Sequence, residues 1–219
     1  MPGSTQNAVS RREERRLRQQ DVSRSQLLDA AEEVFGRKGY HEATLKEVAE
    51  LAEFAVGSVY SFFENKDDLF AQIFVRRGAE FMPELHAILD DKQASPVDQL
   101  HALVDFEIGF FRSHPHFGRL YLRYSSAAYL STDREIDLVM KERYEDAMQL
   151  QASLFRRGQR KGVLRNGDPD VLARLLSGIV SAYQALDPAV VSDEPHPRER
   201  LPLTDLHDII ADTFVVSRR

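Results

Sequence analysis

The amino-acid sequence predicts an all-α protein, and three observations support that class. Apolar residues recur at helical spacing along most of the 219-residue chain. The alternation of apolar and polar residues that is typical of half-buried strands is hard to find in any segment. Dipeptides that open helices, such as Ser95-Pro96 and Asp168-Pro169, divide the helical pattern into separate segments.

The first two helices are predicted from their end signals. The first begins at Ser23, carries apolar residues at helical spacing, and ends before Gly39, which suits a helix C-terminus. The second is short and ends near residue 52. Its start is indicated by Thr44 and Glu47, because a threonine followed three residues later by a glutamate has the spacing of a reciprocal capping box.

A third helix is predicted over residues 55–62, and a longer fourth helix begins after Asn65. The side chain of Asn65 can cap this helix, while Asp67 and Asp68 suit the positive charge at its N-terminal end. Two short helices that follow a longer one are the parts of a helix-turn-helix, whose second short helix enters the major groove of DNA.

The remainder of the chain is predicted to form four further helices. They cover about residues 96–113, 133–160, 168–186 and 203–216. Residues 187–202 contain four prolines, so we expect a polar connecting loop there. No internal repeat interrupts this pattern.

Composition excludes several classes of protein. The chain has no cysteine, so nothing in it requires an oxidising compartment, a thiolate nucleophile or a cysteine-based zinc site. Residues 1–21 lack the apolar stretch of a signal peptide, and the apolar-leaning run at 175–186 is too short and too polar to span a bilayer. We expect a cytoplasmic protein with no membrane segment.

Residues 23–73 resemble the DNA-binding domain of the TetR (tetracycline-repressor-like) family of bacterial transcription regulators. The resemblance lies in "LLDAAEEVFGRKGY", "ATLKEVAELA" and "VGSVYSFFENKDDLF". The matching positions, in order, are Phe35, Gly39, Tyr40, Thr44, Val48, Ala49, Ala52, Gly57, Val59, Tyr60, Phe63, Lys66 and Leu69. The resemblance implies an N-terminal three-helix helix-turn-helix domain and a larger C-terminal helical domain that binds an effector and dimerises.

We expect three segments, the first from the charge of the N-terminal residues and the other two from the resemblance. They are a flexible basic arm at 1–22, a helix-turn-helix domain at 23–72, and an effector-binding and dimerisation domain at 73–219. The resemblance implies a homodimeric regulator that acts as a repressor on a palindromic operator. Its partner contacts would involve the helices at about 168–186 and 203–216. A small, mostly hydrophobic or aromatic effector would release the protein from DNA, and no cofactor is expected.

The residues expected to contact DNA are mostly small or hydroxylated. They are Thr44, Lys46, Ala55, Val56, Gly57, Ser58, Tyr60, Ser61 and Lys66, joined by Arg15, Arg16 and Arg18 of the arm. Hydroxyls and helix N-terminal amides suit phosphate oxygens, and a glycine allows close approach to the duplex. Since the third helix offers no side chain that pairs bidentately with a base, discrimination is expected to use thymine methyl groups and DNA shape.

The charge of this domain opposes DNA binding. Residues 25–70 contain ten acidic and four basic side chains, a formal charge of −6, whereas residues 1–24 carry +3. We expect most of the acids to face away from DNA and the arginine arm to supply attraction. The arm could equally be a solvated tail. The alternative function is that of a ligand-binding or protein-interaction module that has lost specific operator binding.

Aromatic residues concentrate in the middle of the chain. Aromatics at helical spacing usually belong to a core, but the resemblance implies an effector pocket in this region, and tyrosine hydroxyls among apolar walls suit a small ligand. The candidate ligand-binding residues are Phe106, Phe110, Tyr121, Tyr124 and Tyr144. His114 and His116 flank a proline and are interpreted as a turn rather than a metal site, and no catalytic constellation indicates an enzyme.

Overall fold

A computed structural model describes residues 11–124, 135–191 and 201–216, the side chains of 135–140 excepted, and they fold into ten helices. The helices are α1 (Arg11–Lys38), α2 (Leu45–Leu51), α3 (Val56–Phe62), α4 (Lys66–Asp90), α5 (Pro96–Ser113), α6 (Pro115–Tyr124), α7 (Glu135–Arg160), α8 (Pro169–Leu186), α9 (Pro188–Val191) and α10 (Leu203–Phe214). The described residues contain no strand beyond an isolated bridge between Leu164 and Val215. The predicted all-α class is confirmed.

Helices α1 to α4 pack around an aromatic core. Phe35 of α1 is fully buried and meets Phe70 of α4 edge to face, with ring centroids 5.2 Å apart. Val48 and Val59 bring the buried sides of α2 and α3 into the same cluster. Each short helix has only two turns, so its position depends on this packing rather than on its own stability.

The predicted start of the first helix at Ser23 is wrong. Helix α1 begins at Arg11 and runs for 28 residues, so the described part of the predicted flexible arm, residues 11–22, is helical and exposed. This segment contains no proline or glycine, and Glu13 and Glu14 lie in the first turn, where negative charge is favourable. The arginines, which are good helix formers, therefore extend the helix.

A second core joins the C-terminal helices. Phe155 of α7 and Phe214 of α10 are fully buried, with ring centroids 5.3 Å apart. The segment after α7 returns to the end of α10, where the Arg165 amide donates to the Phe214 carbonyl at 2.7 Å. No helix in the described ranges is long and apolar enough to cross a membrane.

Helix α4 contributes to both cores, and α6 packs with the N-terminal one. Helix α4 contributes Phe70 to the N-terminal core and Leu85 to the C-terminal core. Helix α6 lies close against α1, because a Cβ added to Gly36 would come within 2.8 Å of His116. Part of the predicted loop at 187–202 is instead the short helix α9, and its Val190 packs on Gly118 of α6.

Candidate DNA-binding surface and effector cavity

The helix-turn-helix begins with the predicted capping box. The Glu47 amide donates to Thr44 Oγ1 at 3.2 Å, and the Thr44 amide donates to Glu47 Oε2 at 3.0 Å. The turn between α2 and α3 places Glu53 at φ 60°, a left-handed conformation that favours glycine and costs other residues about 1 kcal/mol. The Phe54 amide closes the turn by donating to the Ala49 carbonyl at 2.8 Å.

Helix α3 presents an uncharged outer face. Val59 is fully buried, whereas Val56, Gly57 and Tyr60 are exposed, Tyr60 by 58%. Ala55 stands at the N-cap and makes no side-chain hydrogen bond, so the first amides of the helix lack a side-chain acceptor there. The predicted surface of α3 is therefore accessible within this chain.

Two of the hydroxyls and one cation around α3 already have partners within the protein. Thr44 Oγ1 donates to Glu47 Oε2 at 2.9 Å, and Ser61 Oγ donates to the Ser58 carbonyl at 2.6 Å. Lys66 lies over the Tyr40 ring, with its Nζ 4.6 Å from the centroid. A phosphate contact by Thr44 would therefore have to compete with a carboxylate.

Lys46 is the most exposed of the cations predicted to contact DNA on α2 to α4. Its side chain is 75% exposed, and its Nζ lies 3.6 Å from Glu50 Oε1. An ion pair at this exposure is weak, so Lys46 can turn to another anion at little cost.

The N-terminal part of α1 starts beside the end of α3. Arg24 lies over the Phe63 ring, 5.2 Å from its centroid, and donates to Gln72 Oε1 at 2.8 Å. From there α1 continues outward for thirteen residues to Arg11, about 20 Å at the rise of an α-helix. The predicted arm residues on this extension are exposed: Arg15, Arg16 and Arg18.

Two acids of the N-terminal domain are paired with arginines of α4. Glu32 is only 5% exposed, and its carboxylate accepts hydrogen bonds from Arg76 and Arg77 at 2.9 and 2.8 Å. Arg76 also donates to Asp29 Oδ1 at 2.6 Å. These arginines lie beyond residue 70, so the charge of residues 25–70 alone overstates the negative charge of the folded domain.

Glu47 is a further acid with a cation partner. The Lys38 side chain bonds to this carboxylate, and it lowers the pKa of Glu47 together with the hydrogen bonds from Thr44. The capping carboxylate of α2 is therefore held ionised beside an exposed lysine.

The C-terminal part contains a cavity of about 100 Å³ between α4, α5, α6, α7 and α8. Most of its lining is aromatic or aliphatic. The rings that line it belong to Phe74, Phe81, Phe111, Phe117, Tyr121 and Tyr144. Such a mostly apolar lining with a few polar groups is typical of small-molecule sites.

Two of the five predicted ligand-binding residues line this cavity, Tyr121 and Tyr144. Phe106 and Phe110 instead pack against Phe81, with centroids 4.9 and 5.1 Å away, and stand behind the cavity wall. Tyr124 belongs to the domain junction, because its hydroxyl accepts a hydrogen bond from the amide of Tyr40, just past the end of α1.

The cavity residues that the sequence reasoning missed include Glu107, Gln151 and Gln184. Each lies within a helix on its buried side and is at most 7% exposed. Glutamate and glutamine at apolar positions of a helical pattern were the available signal, because such residues are rarely buried without a partner.

Two contacts connect the cavity with the N-terminal domain. Arg77 lines the cavity and donates to Glu32 of α1. On α6, Tyr121 lines the cavity, and one turn later the Tyr124 hydroxyl accepts a hydrogen bond from the Tyr40 amide at 3.1 Å. A change in cavity shape can therefore reach α1 through α4 and α6.

Two of the seven histidines, on α5 and α10, lie side by side. The Nδ1 atoms of His101 and His207 lie 2.8 Å apart, and His207 Nε2 lies 2.8 Å from Asp105 Oδ1. No group of three potential metal ligands converges within the ranges that the structure describes. His114 contacts the Phe110 carbonyl at the end of α5, in agreement with its interpretation as part of a turn.

Comparisons with known proteins agree with this geometry. A family profile described as bacterial regulatory proteins of the tetR family matches residues 27–73. The fatty acid metabolism regulator protein of Bacillus subtilis is 29% identical over 76 residues, which cover 35% of this chain and 39% of that protein. The nicotine-responsive transcriptional repressor HdnoR of Paenarthrobacter nicotinovorans is 32% identical over 133 residues, or 53% and 66% of the two chains.

Solved structures share the fold over most of the chain. The structure of AibR in complex with isovaleryl coenzyme A and operator DNA superposes with a TM-score of 0.70 at 18% identity, covering 88% of this chain and 98% of AibR. The fold, the profile match and the relatives together support the predicted resemblance. The chain belongs to the TetR family of bacterial transcriptional regulators.

Proposed function

We propose that the protein is a ligand-responsive transcriptional repressor that a small, mostly hydrophobic effector releases from a palindromic operator. The observation that carries this proposal is the exposed, uncharged face of α3 in a domain whose connecting helix, α4, also lines an internal cavity. The relatives add support, because HdnoR is a nicotine-responsive repressor and AibR was solved with an acyl coenzyme A and operator DNA.

DNA binding would use α3 for the groove and exposed cations for the backbone. Gly57 leaves open space at its Cβ position, so the α3 backbone can approach a base edge closely. The helical extension with Arg15, Arg16 and Arg18 begins next to the C-terminal end of α3. In this proposal the extension supplies positive charge to phosphates beside the groove that α3 occupies.

Dimerisation would centre on α8. Its exposed side combines apolar and small residues at helical spacing, which lets two helices pack closely. These residues are Val171, Leu175, Gly178, Ala182 and Leu186. The exposed side of α10 carries Asp205, Asp208 and Asp212, so α10 would contribute at the margin of this interface, where charges stay hydrated.

Release would be a shift between two arrangements of the domains. An effector that fits one cavity shape better stabilises that arrangement by its difference in affinity. The Arg77 contact to α1 and the Tyr124 contact to Tyr40 would carry the change to the N-terminal domain. In a dimer, a small rotation of each such domain changes the distance between the two α3 helices, which must match one helical turn of DNA.

A gel shift with DNA from upstream of the chain's own gene tests the proposal. We expect retardation at 50 mM salt, about the low end of the range where phosphate contacts dominate, and loss of retardation in Val56→Glu, which places a charge on the face of α3. Glu84→Gln, on the exposed side of α4, is the matched control and should bind like the wild type. No retardation of any tested fragment would instead favour the ligand-binding module that has lost operator reading.

The contribution of the α1 extension is tested by deleting residues 1–20 and measuring operator affinity at several salt concentrations. If Arg15, Arg16 and Arg18 contact phosphates, the slope of log affinity against log salt should fall by about one for each lost contact. An unchanged slope would remove the extension from the interface.

A further inference from the structure

One wall of the cavity is polar, in contrast to the aromatic rings around it. Glu107 of α5, Gln151 of α7 and Gln184 of α8 line the cavity and are 7%, 1% and 2% exposed. Three helices therefore contribute polar side chains to one mostly apolar cavity. Burial of such groups is costly unless they are hydrogen-bonded, so their partners need to be accounted for.

The hydrogen bonds of this wall are incomplete within the protein. Gln151 Nε2 donates to Glu107 Oε1 at 2.8 Å, and this is the only side-chain hydrogen bond to Glu107 among the described residues. Gln151 Oε1 and Gln184 Nε2 are buried and have no partner there. The wall thus offers a carboxylate and an amide oxygen as acceptors, and an amide N–H as a donor.

The carboxyl of Glu107 also lacks a cation. Arg77, which lines the same cavity, directs its guanidinium to Glu32 and Glu80. Arg143 lines the cavity but is exposed, and no ion pair joins either arginine to Glu107 within the described part of the chain. The other ionisable groups of the lining are Tyr121 of α6 and Tyr144 of α7.

Burial raises the pKa of Glu107 to about 7, against a smaller opposing effect of the hydrogen bond from Gln151. A positive charge brought into the cavity would therefore meet a carboxyl that ionises readily near neutral pH. The aromatic rings of the lining favour the same kind of ligand, because a cation is attracted to the face of an aromatic ring.

We propose that the effector carries a protonated amine on a compact apolar or aromatic body, with the ammonium group donating to Glu107 and to Gln151 Oε1. Gln184 Nε2 then donates to an acceptor atom elsewhere on the same molecule or to a water beside it. This inference rests on the proposed role of the cavity as the effector site, and it names the chemical class that the site selects.

Three probes of similar size and different charge test this class. Titration calorimetry at pH 7.5 compares benzylamine, benzyl alcohol and phenylacetate on the full chain. Benzylamine should bind about tenfold or more tightly than benzyl alcohol, because a hydrogen bond to a charged group is stronger than a neutral one. Phenylacetate should bind most weakly, since it would place a second carboxylate beside Glu107.

Variant E107Q separates the charge from the shape of the site. It should lose about tenfold or more in affinity for benzylamine while its affinity for benzyl alcohol stays within about twofold. The matched control E84Q makes the same chemical change on the exposed side of α4 and should leave all three affinities unchanged. A thermal melt of each variant without ligand establishes that it is folded.

Three results would overturn the proposal. They are equal or tighter binding of benzyl alcohol or phenylacetate by the wild type, an unchanged benzylamine affinity in E107Q, and no measurable binding of benzylamine. The gel shift without ligand shows whether the amine proposal or the proposed repressor function has failed. If the operator is bound but the amine is not, the amine class is wrong. If the amine is bound but no operator is, the assignment as a repressor is wrong.

Discussion

The polar groups of the α3 surface and those of the cavity differ in whether they have hydrogen-bond partners. On the α3 side, Thr44 and Ser61 already have acceptors within a few residues, and water reaches whatever remains. In the cavity, Gln151 and Gln184 hold polar atoms that no described residue satisfies. An exposed group has water as its alternative partner, whereas a buried one has none. The chemistry of a ligand can therefore be inferred at the cavity, while the base sequence of the operator cannot be inferred at α3.

The largest expected effect lies at the contact between α1 of the N-terminal domain and α4, which also lines the cavity. Glu32→Ala removes a buried carboxylate that binds Arg76 and Arg77, and leaves two partly buried arginines without it. We expect a loss of about 3 kcal/mol or more in the free energy of unfolding, measured by urea denaturation. Glu33→Ala is the control, because its pair with Arg37 is exposed and should contribute less than about 1 kcal/mol. Equal losses would show that burial gives the Glu32 pairs no extra contribution to stability.

The buried carboxyl of the cavity gives the next effect, on the pH dependence of stability. Burial raises the pKa of Glu107 from 4.5 to about 7, so the folded state holds this proton more tightly than the unfolded state does. Its contribution therefore destabilises the fold progressively as the pH rises from about 4.5 to about 7 and then levels off.

Glu107→Gln removes that dependence. Relative to the wild type, the variant should gain on the order of 3 kcal/mol between pH 4.5 and pH 8, measured by urea denaturation at each pH. At the low end of this range the two proteins should be about equally stable. A constant difference across the range would mean that Glu107 ionises normally in the fold.

A smaller effect is expected where α6 meets α1. Tyr124→Phe removes the acceptor of the Tyr40 amide and should cost about 1 kcal/mol of unfolding free energy. It should also weaken the response of operator binding to effector, if α6 carries the coupling. Tyr60→Phe, at an exposed position of α3, should change stability by less than about 0.5 kcal/mol. A Tyr124 variant with unchanged stability and response would exclude this route.

The smallest effect on stability, with the opposite sign, is expected at Gly57. A Cβ at this position meets no atom within 4 Å, and alanine is favoured over glycine inside a helix by about 0.5 to 1 kcal/mol. Gly57→Ala should therefore raise the melting temperature while it weakens operator binding in the gel shift. A variant that is stabilised and binds with full affinity would show that the α3 backbone does not approach DNA closely at this point.

Local signals predicted the helix boundaries well wherever a capping side chain was present. The structure confirms the helix starts expected at Thr44, Asn65, Ser95 and Asp168, where each side-chain oxygen accepts a hydrogen bond from a nearby backbone amide. The predicted start of α1 is wrong because the arginine run has high helix propensity and no stop signal, and its charge alone does not indicate a flexible arm. A run of charged residues indicates exposure to solvent, and the residues of a helix that projects from the domain are exposed as well.

The two candidate sites also differ in how far the sequence predicts them. The α3 surface follows from the sequence, since the helical period fixes that Val59 faces inward while Gly57 and Tyr60 face outward. The cavity does not follow, because its lining depends on how five helices pack. Phe106 and Phe110 are aromatic and correctly spaced, yet they stand behind the wall, and Tyr124 serves the domain junction.

The sequence by itself determined the all-α class, the capped helices and the neutral face of α3, because these depend on residues a few positions apart. Only the tertiary structure brought Glu107, Gln151 and Gln184 together, and only it paired Glu32 with arginines of α4. These groups are separated by more than thirty positions along the chain, and no local pattern encodes such a separation. Their energies also depend on exclusion from water, which the packed helices create.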